Sequence, residues 1–219
     1  MVTTRTQEQL KEVVEAWKLG RMEHLLITGV AGTGKTYTAT QTDPEAKLVP
    51  SSSPFELYKQ LAYINGLGVK RIIIDDMDIN LFKGGRGADL LKQLLCSGKR
   101  EVAWKSSRTG RQAGVPDHFE TEMKVCIITN YMSKSNEHVR AIVDRCFEAQ
   151  HLPSGEEVYT LCKKHKIVSA GFIDKLKEIA PNPLYLSIRK VEKLYQTYKI
   201  GLAWEDDFKQ YLREMVGIR

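Results

Sequence analysis

The stretch that decides the fold is Gly29-Val-Ala-Gly-Thr-Gly-Lys-Thr36, a complete G-x-x-x-x-G-K-T loop. It closes the short apolar run 24–29, which predicts a buried strand, and residues 33–42 that follow predict the start of a helix. Glycines let successive backbone N–H groups converge on one phosphate, and the start of a helix adds partial positive charge. The motif between these two elements predicts a phosphate-binding loop.

Two side chains of this loop have chemistry that suits a nucleotide. Lys35 can reach the β- and γ-phosphates, and the Thr36 hydroxyl can ligate magnesium. We therefore expect ATP and Mg²⁺ as cofactors. The candidate nucleotide-binding residues are Gly29, Val30, Ala31, Gly32, Thr33, Gly34, Lys35, Thr36 and Tyr37.

Polar side chains end two further predicted strands. The run Ile72-Ile-Ile-Asp75-Asp76 leads into two carboxylates, and the run 124–130 ends in Asn130. We expect Asp75 to hold the metal through water, and Asp76 to orient or deprotonate an attacking water. Strand ends meet at one edge of a parallel sheet, so Asn130 would face the same crevice and hold that water. One acid for the metal and one for water predicts hydrolysis.

The chain alternates predicted strands and helices. Amphipathic or apolar spacing predicts helices over 6–18, 54–66 and 87–98, and strands over 24–29, 46–50, 69–76, 99–105 and 124–130. Repeated strand–helix units predict an α/β fold, a parallel sheet flanked by helices. From about residue 154 the spacing is helical. We divide the chain into an α/β nucleotide-binding domain, 1–152, and a small helical domain, 153–219.

Composition excludes several classes of protein. The 219 residues are 42% hydrophobic and 27% charged, as in an ordinary soluble globular protein. No run reaches the roughly 18 apolar residues of a membrane span, and the first residues are too polar for a signal peptide. We expect a cytoplasmic protein with no membrane partner. The four cysteines lack C-x-x-C spacing and are interpreted as reduced packing residues. His118, His138, His151 and His165 show no metal spacing and are interpreted as incidental.

The positive charge is concentrated in one segment. Residues 83–111 carry eight basic and two acidic side chains, which equals the net charge of +6, and the other residues balance at 25 against 25. Cations on loops suit phosphate backbones, and an aromatic among them can stack on a base. Alternation in 99–105 places Arg100, Val102 and Trp104 on one face of a strand. The alternative is a basic surface that joins subunits, with Trp104 buried. The candidate nucleic-acid residues are Lys83, Arg86, Lys99, Arg100, Trp104, Lys105 and Arg108.

Together these motifs resemble the AAA+ ATPases. The matching parts are the phosphate loop, Asp75-Asp76 where the family more often has Asp-Glu, and Asn130 as the first sensor. By order and spacing, Arg145 resembles the arginine finger and Arg189 the second-sensor arginine, with Arg140 as competitor for the finger. The resemblance implies a helical lid and a homo-oligomeric ring, usually of six subunits. ATP would lie at each boundary, with the finger supplied in trans.

A narrower resemblance covers the basic segment. Residues 91–105 and 124–130 are similar to motifs of the AAA+ clade with a β-hairpin before the first sensor, including superfamily 3 viral helicases, and to small phage-encoded AAA+ proteins. The hairpin would project toward the central channel. This implies DNA translocation or remodelling in replication, as a helicase or helicase loader. The expected partners are single-stranded DNA and a replicative helicase or other replication protein, in the host cytoplasm if the chain is phage-encoded.

Two other functions compete with this hypothesis. A protein-remodelling or assembly ATPase would grip a polypeptide with an aromatic pore loop, and the corresponding region, 49–55, offers only Phe55 at a predicted helix start. A small-molecule kinase would share the phosphate loop but has no need of Asp75-Asp76, Asn130 and the helical tail together. The kinase is therefore disfavoured.

Overall fold

The computed structural model describes residues 1–50, 53–82, 84–104, 114–130 and 134–216. The strands in these ranges are β1 (Val2–Thr4), β2 (His24–Gly29), β3 (Lys47–Pro50), β4 (Arg71–Asp75), β5 (Arg100–Ala103), β6 (His118–Thr121), β7 (Lys124–Thr129) and β8 (Phe147–His151). The helices are α1 (Gln7–Lys18), α2 (Lys35–Thr42), α3 (Pro54–Gly66), α4 (Gly85–Leu94), α5 (Glu137–Val143), α6 (Gly155–Lys164), α7 (Ala170–Ile179), α8 (Ile188–Lys199) and α9 (Trp204–Val216).

Six strands form one sheet in the order β1-β8-β2-β7-β4-β3, and every neighbouring pair is parallel. Strand β7 lies between β2 and β4, with Ile127 opposite both Leu26 and Ile74. Because parallel strands end at the same edge, this order brings the phosphate loop, Asn130 and the acidic strand end side by side. The predicted α/β fold is confirmed.

The two faces of the sheet are covered by different helices. Because successive strand side chains point to opposite faces, the apolar runs of β2, β4 and β7 supply both cores. One core contains residues of α3, α4 and α5 together with Leu26, Ile72, Ile74, Val125 and Ile127. The other contains residues of α1 and α2 together with Leu25, Ile27, Ile73, Cys126 and Ile128. Packing of helices on both faces of the sheet therefore holds the strand ends in place.

Strands β5 and β6 form a separate antiparallel pair. The predicted alternation is present, since Arg100, Val102 and Trp104 are buried and Glu101 is exposed. The buried face packs into the same core as α3 and α4. The partner strand β6, only four residues long, is not predicted by the pattern of its own residues.

The first residues of the chain complete the sheet edge. Strand β1 pairs with β8 and has only three residues, too few for a periodic pattern, and it is absent from the sequence-based prediction. Helix α1 then begins with a capping box. The Thr6 hydroxyl accepts from the Gln9 backbone N–H, while the Gln9 side-chain Oε1 accepts from Thr6 N at 3.3 Å and Arg5 N at 2.7 Å.

The four C-terminal helices have a core of their own. It includes Tyr159, Phe172, Trp204 and Phe208 and is separate from the two cores of the sheet. The predicted boundary at 152/153 falls in the connection between β8 and α6. Division of the chain into two domains stays a prediction.

Two expectations from composition concern the cysteines and membrane-spanning helices. All four cysteines are free thiols, and Cys126 and Cys162 are buried as expected of packing residues, whereas Cys96 is exposed. None of the helices in the described part of the chain is long and apolar enough to cross a bilayer.

Candidate active site

The phosphate loop joins β2 to α2 with three glycines at positive φ. At Gly29 a Cβ would lie 2.2 Å from the carbonyl oxygen of His151 on the neighbouring strand, so no other residue fits there. Gly34 is the N-cap of α2 with φ 86°, and no side chain caps it. The first N–H groups of α2 are therefore open to an anion, as the motif predicts.

Lys35 lies at the centre of the site and is 4% exposed. Its Nζ donates to Gly29 O at 3.1 Å, Val30 O at 2.7 Å and Asn130 Oδ1 at 3.1 Å. Burial lowers the Lys35 pKa to about 8, while Asp75 and Asp76 oppose that fall and Arg189 adds to it. Bound phosphate oxygens would replace the carbonyls as partners and favour the charged ammonium.

Thr36 and Asp75 meet across the gap between α2 and β4. The Thr36 hydroxyl donates to Asp75 Oδ1 at 2.6 Å, and Asp75 Oδ1 also accepts from Asp76 N at 2.9 Å. Both are hard oxygen donors. Magnesium prefers few protein ligands, completed by water and phosphate oxygens, and this pair fits that ion.

Asp76 and Asn130 form the second link of the site. Asn130 Nδ2 donates to Asp76 Oδ1 at 2.7 Å, and its Oδ1 accepts from Lys35, so the amide bridges the phosphate loop and the acidic strand end. Asp76 has φ 48°, a left-handed conformation that aspartate and asparagine tolerate better than most residues. This turn carries the carboxylate beyond the strand end, where it is exposed.

Of the described arginines that were predicted to act on the nucleotide, only Arg189 lies against this site. It lines a cavity of about 270 Å³ together with Lys35, Thr36, Asp75 and Asp76. The contact is close because Ile188 N donates to Gly32 O at 2.9 Å, and a Cβ on Gly32 would lie 2.9 Å from the Arg189 Cβ. The start of α8 is therefore tied to the phosphate loop.

The two candidate finger arginines lie on the surface. Arg145 follows α5 and is exposed, with its Nη1 bonded to Ala141 O. Arg140 is exposed as well, and its Nη1 donates to Lys134 O at 3.2 Å and Ser135 O at 3.1 Å. Neither arginine lines the cavity beside Lys35. Their assignment to a neighbouring subunit's site stays a prediction.

A second cavity adjoins the phosphate loop on the side of α1 and α6. It measures about 430 Å³, and Gly34, Tyr37, Leu161, His165 and Ile188 are among its lining residues. Tyr37, predicted to contact nucleotide, is 57% exposed, and its ring lies edge-on to that of His165 at 5.9 Å. An apolar cavity next to a phosphate site is suited to a nucleobase.

Two predicted nucleic-acid contacts need correction. Arg100 is 7% exposed, and its guanidinium donates to Leu94 O at 2.6 Å, to Gly98 O at 2.8 Å and to Met123 O. Trp104 is 8% exposed and packs against Phe55 with ring centroids 5.5 Å apart. Neither side chain can reach a nucleic acid, because the shared face of β5 points into the core.

The other predicted contacts have different surroundings. Lys99 is exposed and forms an ion pair of 2.6 Å with Glu120. Arg86 is exposed, with its guanidinium carbon 6.0 Å from the Trp104 ring centre. Lys83, Lys105 and Arg108 lie outside the described residues. The aromatic of the competing hypothesis, Phe55, is half-buried against Trp104.

Sequence reasoning missed two residues that support the phosphate loop. Gln7 donates from Nε2 to Thr33 O at 2.6 Å, and His151 lies fully buried beside it with 3.4 Å between the two Nε2 atoms. The interpretation of His151 as incidental is therefore wrong. No local pattern marks either residue, because Gln7 sits in an ordinary amphipathic helix.

Comparison with known proteins supports the fold. No family model matches the chain, and neither does any curated protein. Among solved structures, that of C. elegans PCH-2 is similar, with a TM-score of 0.50 and 12% identity, covering 96% of this chain and 68% of that chain. At this identity the similarity concerns the fold, and it supports the predicted α/β fold, a parallel sheet flanked by helices with further helices at the C-terminal end. The similarity to viral helicases stays a prediction.

Proposed function

We propose that this chain is a magnesium-dependent ATPase. The observation that supports this most directly is one connected set of polar side chains at the strand ends. Lys35 is bonded to Asn130 and Asn130 to Asp76, and Asp75 accepts from both the Asp76 backbone N–H and Thr36. A phosphate loop alone suits many nucleotide enzymes, but this set adds a metal pair and a separate carboxylate–amide pair for water.

The phosphate loop binds the triphosphate. The N–H groups at the start of α2 and the Lys35 ammonium face the phosphates, and Lys35 exchanges its bonds to Gly29 O and Val30 O for phosphate oxygens. Thr36 and Asp75 hold magnesium. Bound there, magnesium would supply positive charge that stabilises the phosphates.

Asp76 and Asn130 act on the water that attacks the γ-phosphate. The Asp76 carboxylate is exposed, and its Oδ1 is held by the Asn130 amide. When that amide turns to the water, the carboxylate is free to accept the proton. General bases held in this way contribute about 10²–10⁴-fold to rate.

The C-terminal helices close the nucleotide site. Arg189 lies beside Lys35 and Asp76, where a guanidinium suits the γ-phosphate. The cavity lined by Tyr37 and His165 accepts the base. This arrangement supports the proposed helical lid, since residues of α6 and α8 line the cavities beside the phosphate loop.

We propose further that the ATPase is a homo-oligomeric ring in which Arg145 completes a neighbouring site. Arg145 is exposed and lies away from the cavity of its own chain, with its guanidinium bonded to the preceding turn. An arginine supplied in trans stabilises charge in the transition state.

The segment that carries the entire charge surplus, 83–111, supports DNA as the polymer on which the ring acts, as a helicase or helicase loader. Arg100 and Trp104 are not among the proposed DNA contacts, because both are buried. It rests on the exposed Arg86 and Lys99 and on the basic residues of 105–111, which lie outside the described ranges.

The test measures ATP hydrolysis by the wild-type protein with Mg²⁺, alone, with single-stranded DNA and with an unfolded protein such as casein. Native mass spectrometry with ATP reports the oligomer. Hydrolysis that needs Mg²⁺ and rises with DNA supports the whole proposal. Stimulation by casein and not by DNA favours the protein-remodelling alternative. A protein that binds ATP and transfers phosphate to a small acceptor as a monomer contradicts the ATPase proposal.

A further inference from the structure

Gln7 is fixed to three parts of the structure at once. Its side-chain Nε2 donates to Thr33 O in the phosphate loop at 2.6 Å, and its Oε1 accepts from the Thr38 hydroxyl of α2. Its backbone N–H donates to Glu157 Oε1, on the first turn of α6, at 3.0 Å. The start of α1 therefore joins the phosphate loop to the first C-terminal helix.

His151 lies beside the Gln7 amide. It is fully buried, and burial lowers its pKa to about 4, so the ring is neutral. Its Nδ1 lies 2.9 Å from the Thr4 hydroxyl, and its Nε2 lies 3.4 Å from Gln7 Nε2. The nitrogen of the Gln7 amide faces the acceptor Thr33 O, and its oxygen faces the donor hydroxyl of Thr38, so these two partners set the orientation of the amide.

This arrangement fixes one peptide plane of the phosphate loop. The described chain has no cis peptides, and in a trans peptide the C=O and N–H point in opposite directions. Because Gln7 holds the Thr33 carbonyl, the Gly34 N–H is directed away from Gln7. Gly34 has φ 86° and, lacking a side chain, places no steric barrier against a flip of that peptide. An outside bond to the carbonyl prevents it.

We propose that Gln7 is a positioning residue that keeps the Gly34 N–H aimed at the phosphates of the bound nucleotide. The inference rests on the proposed ATPase function. It adds a residue from outside the phosphate-loop motif, 26 positions before Thr33. Gln7 contacts the loop and not the reacting atoms, so its contribution is to nucleotide affinity.

The test is Gln7→Glu, which keeps the shape and reverses the polarity. A carboxylate oxygen would face the Thr33 carbonyl oxygen at about the 2.6 Å now occupied by a donor. The matched control is Gln9→Glu, with the same charge change two residues away at an exposed site, where glutamate preserves the capping box. Affinity for ATP is measured by calorimetry, and kcat and KM by phosphate release.

We expect Gln7→Glu to weaken ATP binding and raise KM by about tenfold or more, with kcat at saturation within about threefold of wild type. Gln9→Glu should match wild type in all three values. If both variants bind ATP equally well, the positioning inference is wrong and the ATPase proposal stands. If wild type and Gln9→Glu fail to bind ATP, the ATPase proposal is wrong and this inference falls with it.

A second pair of variants decides the matter if Gln7→Glu does not fold. Thr38→Val removes the hydroxyl that holds Gln7 Oε1, and Thr38→Ser keeps it. Thr38→Val should weaken ATP binding severalfold, and Thr38→Ser should restore it. Equal ATP affinity in these two variants, both with wild-type melting temperatures, overturns the inference.

Discussion

Replacing Asp76 by asparagine separates nucleotide binding from hydrolysis. The change removes the negative charge and the proton acceptor. The new asparagine Oδ1 can still accept from Asn130 Nδ2, which in the wild-type protein lies 2.7 Å from Asp76 Oδ1. The backbone at φ 48° suits asparagine as well as aspartate. Stability and the shape of the site should therefore be preserved.

The expected loss is in turnover. A positioned general base contributes about 10²–10⁴-fold, equivalent to about 3–5 kcal/mol of transition-state stabilisation. ATP affinity should stay within about threefold at pH 7. Asp76 opposes the fall in the Lys35 pKa, which is about 8, so its loss lowers that pKa further. Binding by the variant should therefore weaken at a lower pH than binding by wild type.

The assay is phosphate release at saturating MgATP, with ATP affinity from calorimetry at pH 7. Asp78→Asn is the matched control, because Asp78 is an exposed carboxylate two residues further on and outside the site cavity. It should hydrolyse ATP at the wild-type rate. Turnover by Asp76→Asn within threefold of wild type, with affinity unchanged, would show that Asp76 is not the base.

The metal pair, the finger arginine and the buried lysine each give a further prediction. Thr36→Val keeps the side-chain shape but removes the hydroxyl that lies 2.6 Å from Asp75. The Mg²⁺ concentration for half-maximal hydrolysis should therefore rise by about tenfold or more. An unchanged Mg²⁺ titration would contradict the metal assignment. Mixing Arg145→Ala with Asp76→Asn subunits, each inactive alone, should restore hydrolysis, and a mixture that assembles yet stays inactive rules out a finger in trans. ATP affinity of wild type should fall as pH rises above about 8, since Lys35 then loses its proton, and calorimetry should show no such fall between pH 6 and pH 7.5.

Elements with a strong local signal were predictable from sequence. Helix α3 has the predicted bounds, because Ser53 caps it, Pro54 occupies its first turn and it ends at Gly66. The buried strands β2, β4 and β7 are apolar runs ended by glycine or polar residues. Strands β1 and β6, of three and four residues, are too short for periodicity to predict them, and they pair with β8 and β5.

The candidate site was predictable where a residue of suitable chemistry lies within a motif at the end of a predicted strand. Lys35 and Asp75 lie within motifs at strand ends, and a parallel sheet brings such ends together. Gln7 and His151 were not predictable, since their contact joins positions 144 residues apart and no local sequence pattern marks either residue. Arg189 was placed by resemblance alone, and the bond between Ile188 and Gly32 accounts for its position.

The basic segment shows why alternation cannot say which face of a strand is buried. The period of two correctly paired Arg100 with Trp104, but basic residues on a strand suggested solvent, whereas this face packs inward. Arg100 is accommodated because it donates to three backbone carbonyls, one of them at the C-terminal end of α4, where the helix dipole favours a cation. Replacing Arg100 would therefore unsettle the core, and weaker DNA binding by such a variant would not identify a contact. A decisive DNA-binding experiment substitutes Arg86, Lys105, Arg108 and Arg111 instead, and the slope of log affinity against log salt should fall by about one for each phosphate that the variant no longer neutralises.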